Sequence, residues 1–234
     1  MRGNTHVRFG GRAGETDQPK GWHRAPVRPH YWAVDALSQA GFAVTLAHPG
    51  GIASMQNRRA KTDQLDAKEL ADLLRIGRPA SAWIAPPGVR ELRELVRYRH
   101  KLVHNRAGVT ASAHAVLGRC GVIPQIADVF GPVGVEMLDA LVLPEPYGSR
   151  MASQRRILAA LTAEITAVEV ETATRLKDSR EYWALLSIDG IGPVLAGVFV
   201  AEIGDVHRFS SADQLACWAG LTTGEWCRRS DERF

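Results

Sequence analysis

No two of the three cysteines, Cys120, Cys217 and Cys227, form a Cys-x-x-Cys pair. Neither a zinc ribbon nor a disulfide framework is suggested, and the usage fits a reducing cytoplasm. No uninterrupted apolar run approaches the ~18 residues that a membrane-spanning helix needs. The first residues are polar and glycine-rich and lack the apolar core of a secretory signal. Charge of one sign is also scarce. The 29 Lys and Arg stand against 25 Asp and Glu, which leaves +4 and a pI near 9.2. That is a weak pointer to a polyanionic partner. Gly190, Gly192 and Gly197 do not have the spacing of a dinucleotide-binding fingerprint, and no strand-like run precedes them.

What is present is enough apolar residue, 45% of 234, for one sizeable core or two small ones. Residues 1–30 mix glycine, proline and scattered basic side chains without a period, and read as a disordered or unrelated tail. From Tyr31 to Ala40 the pattern is helical, and Gly41 suits its end. Phe42 to Ala47 and Ala82 to Ala85 are short runs of strand formers. Between them, a basic approach from Asn57 to Lys61 leads into a helix that should run from residue 63 to near Gly77. Helix, strand, helix, strand is α/β organisation.

Two long helices follow. Val89 to Gly118 carries an apolar stripe of Leu92, Leu95, Val96, Leu102, Val103, Val109, Val116 and Leu117. A second face repeats Arg90, Arg93, Arg97, Lys101 and His104. Seven Lys and Arg stand against two Glu between Pro86 and Cys120, so this face reads either as a phosphate-binding stripe or as an ordinary solvated one. A short helix is expected from Val133 to Leu141. Arg150 to Lys177 is the second long helix, with Ile157, Leu158, Leu161, Ile165, Val168 and Leu176 inward. The two long helices should pack antiparallel. Beyond them, Leu185 to Ala196 reads as two helices joined by a Gly190-Ile-Gly192 turn. There glycine lets the backbone approach a phosphate, and helix amides favour anions; the same residues also suit a tight helix-helix turn without a ligand. Ser210 or Ser211 should cap a last helix.

The stretch with most chemical content is Lys61-Thr-Asp-Gln-Leu-Asp-Ala67. Asp63 and Asp66 are three apart at a helix start and so are neighbours. Two adjacent carboxylates suit a hard cation such as magnesium, which takes oxygen ligands and few protein groups. The same residues also suit capping, with Thr62 or Asp63 as N-cap and Asp66 favoured by the helix dipole.

This stretch resembles the signature of the DEDD-class insertion-sequence transposases, the group guided by a bridge RNA. Gly41 to Pro49 resembles the strand before that signature, Arg90 to Gly121 the helix after it, and Leu186 to Leu221 the start of the family's C-terminal domain. The resemblance implies a partial RNase H-like (RuvC-type) domain over 31–88 and long coiled-coil-like helices over 89–180. It implies the start of a C-terminal, helix-hairpin-helix-like transposase domain over 181–234. It also implies magnesium held by four acids, a serine nucleophile, DNA and a structured guide RNA as partners, self-association and a cytoplasmic setting. Only Asp63 and Asp66 match the four acids. No context matches the first Asp, the Glu or the serine, and Ser230 is not assigned that role. The expectation is therefore a transposase by descent, shortened at both ends and defective in strand cleavage. Trp32, Leu70 and Leu74 should be partly exposed for want of a wider sheet. The alternatives are a non-catalytic nucleic-acid-binding protein and a helical self-association protein. Candidate nucleic-acid contacts are Arg90, Arg93, Arg97, Lys101, Gly190 and Gly192.

Overall fold

The computed structural model describes residues 31–48, 52, 62–78, 81–126 and 128–221. The tail 1–30, the break at 49–51, the approach from Asn57 to Lys61, Cys227 and Ser230 lie outside them. The chain divides into two units, one of residues before Ile84 and after Arg208, the other spanning Ile84–Arg208. The helices expected as parts of two domains, 89–180 and 181 onward, share the second unit as far as Arg208.

In the first unit, α1 spans Tyr31–Gln39 and α2 spans Asp63–Arg75. Of the two candidate caps for α2, Thr62 is the one used: its Oγ1 accepts from the Leu65 amide at 3.3 Å. The helix stops at Gly77, whose φ of +69° lets its amide reach Leu74 O, while the next amide, of Arg78, reaches Leu73 O. This pair of hydrogen bonds around a left-handed glycine satisfies carbonyls that a helix end leaves open. No residue of α2 is buried. Its apolar face, Leu70 and Leu74, borders a hollow of about 400 Å³ with Thr45, Leu46 and Ala47. Trp32, Leu70 and Leu74 are exposed, at 65%, 37% and 57%, as expected.

The two expected strands need correction. Among the described residues they meet in a single antiparallel bridge, Ala47 to Ser81, with the Ala82 amide on Leu46 O at 2.7 Å. Strand-forming side chains make a run extended, but a strand exists only by pairing, and one rung is not a ladder. Outside that bridge the described residues are helix, turn and loop.

The second unit is built on α3, Pro87–Arg119, and α5, Tyr147–Leu176. At 33 and 30 residues they run roughly 50 and 45 Å. Their cross-contacts fix an antiparallel register. Arg175 bonds Glu91, Arg99 bonds Glu169, and Gln154 bonds Ser112. Leu102, Ile165 and Val168 form the middle of the seam. At the far end Ala113, Val116, Leu117 and Met151 close on Leu138 of α4, Pro132–Ala140, and on Val129. Gly134 allows that closure: a Cβ there would lie 2.3 Å from the Val129 carbonyl. At the near end Leu92, Val96 and Leu176 pack with α6, Arg180–Leu186, and α7, Pro193–Ile203. A short 3-10 turn, Val206–Arg208, follows. In the first unit Ser211 caps α8, Ala212–Trp218, by accepting from the Gln214 amide.

Candidate functional site

The carboxylate pair lies in the first turn of α2, Asp63 exposed and Asp66 half-buried. Thr62 performs the side-chain capping, and both acids lie in the first turn, where the helix dipole favours negative charge. Among the described residues, no group of three or more His, Cys, Asp or Glu could hold a metal. The pair therefore fits a hard divalent cation in donor chemistry and falls short of a complete set in number. No catalytic step follows from two ligands alone.

The hairpin turn lies at the opposite end of the chain. Ser179 caps α6, its Oγ accepting from the Tyr182 amide at 3.2 Å. The Ser179 hydroxyl also donates to Glu181. The Glu181 carboxyl lies below its usual range, held first by its backbone amide and then by Ser179. Between α6 and α7 the chain reverses at Gly190, where φ is +87°, and Ile191 N returns to Ile188 O at 3.0 Å. Gly192 is the N-cap of α7 and Pro193 its first residue. Nothing lies within 4 Å of where a Cβ would stand at either glycine. The turn is thus open to an approaching ligand, with the first amides of α7 unsatisfied inside the helix.

The basic face of α3 differs from an open stripe. Arg93 donates from Nε to Ala201 O at 2.8 Å and from a terminal nitrogen to Glu202 O at 2.9 Å. Arg97 grips the Glu202 carboxylate with both prongs, at 2.8 and 2.7 Å. Arg208 donates from Nε to Ile203 O at 3.1 Å. Three arginines therefore take the last carbonyls and the last acid of α7, where a helix leaves its acceptors open and favours cations. Burial, and then the neighbouring charge of Arg93, lower the Arg208 pKa from its ordinary value. Arg90 is half-buried and Lys101 exposed. Spacing made Arg90, Arg93, Arg97 and Lys101 look alike. Glu202, over a hundred residues on, separates them, and nothing in the local pattern of α3 could announce it.

Two matched stretches identify the family. Residues 18–121 fit a DEDD transposase model of the IS110 type, and residues 182–226 fit one described as transposase, IS116/IS110/IS902 family. The chain belongs to the IS110-family transposases. The first match begins upstream of Tyr31, where the resemblance read from sequence begins. A probable family 20 transposase of Pseudomonas aeruginosa is 26% identical, over 88% of this chain and 61% of that protein. A putative transposase of Sinorhizobium fredii is 28% identical, over 83% of this chain and 48% of its own length. The transposase for insertion sequence element IS1328 of Yersinia enterocolitica is 25% identical, over 81% and 57%. The chain thus spans about half to three fifths of the length of these relatives.

In this IS110-family chain, Asp63, Asp66, Arg93 and Arg97 fall in the first matched stretch, and Gly190, Gly192 and Glu202 in the second. The arginine contacts of α3 therefore tie the two family segments together. No described helix is long and apolar enough to cross a membrane.

Proposed function

We propose that this chain serves DNA transposition as an IS110-family transposase, binding DNA and contributing Asp63 and Asp66 to a divalent-metal site in an RNase H-like setting. The observation that carries the reading is the placement of both acids in one helix turn, Asp63 exposed and Asp66 half-buried, within the stretch matched to a DEDD transposase. Magnesium is the cation assigned. When bound, such an ion polarises a phosphoryl group and offsets charge that develops on it. The residues' own part is to hold: Thr62 fixes the helix start, and the two carboxylates face the same side of its first turn.

The open turn at Gly190 and Gly192 is assigned to the DNA backbone, supported by its exposed glycines and the unsatisfied amides of α7. Lys101 adds an exposed cation on the same unit. A structured guide RNA and a second copy of the chain complete the proposed partners, and the cytoplasm the setting. A second reading, nucleic-acid binding without cleavage, is supported by the open Gly190–Gly192 turn and the exposed Lys101.

Magnesium titration followed by amide NMR tests the metal assignment. Shifts confined to the first turn of α2, saturating in the millimolar range and absent in D63A/D66A, are expected, because two carboxylates leave most of the ion's shell to water. Shifts that persist in the double variant would remove the assignment.

A further inference from the structure

α7 is set on the second unit at two places. Near its middle, Gly197 lets it approach α5, where a Cβ would sit 3.4 Å from Thr172 and 3.5 Å from Leu176. At its end, Arg93 holds the carbonyls of Ala201 and Glu202, and Arg97 holds the Glu202 carboxylate. The packing there is small and dry, since Ala196 and Ala201 are fully buried. Val198 and Val200 are only half-buried against the same cluster, so apolar packing is shared between small and partly exposed side chains. A two-pronged guanidinium–carboxylate contact is planar and directional and adds an orientational constraint to that packing. The Gly190–Gly192 turn stands at the other end of the same helix. It lies roughly 16 Å from the clamp for an 11-residue helix.

We infer that Arg93, Arg97 and Glu202 are positioning residues: they clamp the end of α7 to α3 and so set the direction in which the Gly190–Gly192 turn meets nucleic acid. Arg93 caps carbonyls and its Nε lies 3.9 Å from the Glu202 carboxylate, a longer and less directional contact than that of Arg97. Arg97 with Glu202 makes the directional one. The clamp also joins the parts of the two matched stretches that lie in the second unit. The geometric part stands on the distances alone; the part concerning nucleic acid rests on the function proposed above.

The test uses the full chain with Cys120, Cys217 and Cys227 changed to Ser, and spin labels at Ala111→Cys on α3 and Ser187→Cys beside the turn. Both positions are exposed. Pulsed electron resonance should give one narrow distance distribution in the parent. R97E and E202R should each broaden it at least twofold, and the reversed pair R97E/E202R should narrow it again. If a charge reversal fails to fold, Glu202→Gln, which keeps the shape and loses the charge, should still broaden the distribution. A narrow distribution in every single variant would overturn the clamp. In parallel, affinity for a DNA duplex should fall about tenfold in R97E and E202R and return in the reversed pair. If the parent binds no DNA while the distances behave as expected, the functional reading fails and the clamp stands. If the distances behave but affinity does not follow them, the clamp is not a positioning device.

Discussion

Arg97 and Glu202 stand 105 residues apart in sequence and meet through two hydrogen bonds, at 2.8 and 2.7 Å. Each side chain keeps about a third of its exposure, 32% and 30%. The pair is therefore neither a surface bridge, which contributes little, nor a fully buried one, whose desolvation offsets its attraction. It lies where hydrogen bonds to charged groups matter most.

Glu202→Ala should therefore destabilise the second unit by about 1–3 kcal/mol, the usual cost of removing a charge-assisted hydrogen-bonded partner. Arg97→Ala should cost a similar amount, and the double variant clearly less than the sum. Denaturant unfolding followed by helical circular dichroism measures this. Additive losses would mean that the two side chains do not act on one another.

Two glycines in the second unit should respond in opposite directions to the same substitution. Gly134→Ala puts a methyl 2.3 Å from the Val129 carbonyl and should destabilise by about 3 kcal/mol or more, the upper end for overpacking. Gly108 lies inside α3 with nothing within 4 Å of where a methyl would stand, so Gly108→Ala should stabilise by about 0.5–1 kcal/mol. Thermal midpoints of the two variants check both signs. A neutral G134A would show that the turn from Val129 to α4 yields to a methyl group.

The basic face should divide by function. Lys101→Ala should weaken duplex DNA binding and lower the log–log salt slope by about 1, as expected for one lost phosphate contact. Arg93→Ala should lower the unfolding midpoint, since its guanidinium caps α7. Salt titrations of binding alongside melting curves separate the two. An R93A chain with the parent's midpoint and a flattened slope would return Arg93 to the phosphate-binding stripe.

The helical half of the molecule was legible because it is written locally. The long helices were expected at 89–118 and 150–177 and lie at Pro87–Arg119 and Tyr147–Leu176, since their apolar stripes have a 3.6-residue period. The short helix expected from Val133 to Leu141 is Pro132–Ala140, and the last helix is capped by Ser211. Part of the seam was hidden by residue type. Gln154 and Thr172 are buried in it, while Ile157, assigned inward by its apolar character, is 45% exposed. The heptad-like spacing of Met151, Gln154, Leu158, Ile165, Val168 and Thr172 would have revealed the seam had polarity been set aside. Thr172 satisfies its hydroxyl on Val168 O within its own helix, which is why it can be buried. Gln154 bonds Ser112 with its nitrogen and buries an oxygen that accepts no bond from the described residues. No local rule predicts such a residue.

The strands and the arginines were less legible, for the same reason. Phe42 to Ala47 has strand-forming side chains, but a strand is a relation between segments, and here one bridge to Ser81 is what forms among the described residues. Arg93 and Arg97 have the spacing of a phosphate-facing row, but their partner is the end of a helix a hundred residues away. By contrast the placement of Asp63 and Asp66 in one helix turn was legible from spacing, because it is local; their nomination as metal ligands came from the family resemblance, and Thr62 resolved which residue caps the helix.

On the proposed function, this chain holds DNA with a metal-assisted contact at the carboxylate turn. Duplex DNA binding by the full chain, with and without millimolar magnesium, in the parent and in D63A/D66A, tests it most directly. Salt-sensitive binding is expected in both proteins, strengthened by magnesium in the parent alone. No binding by the parent at low salt, or a magnesium effect of equal size in D63A/D66A, would contradict it.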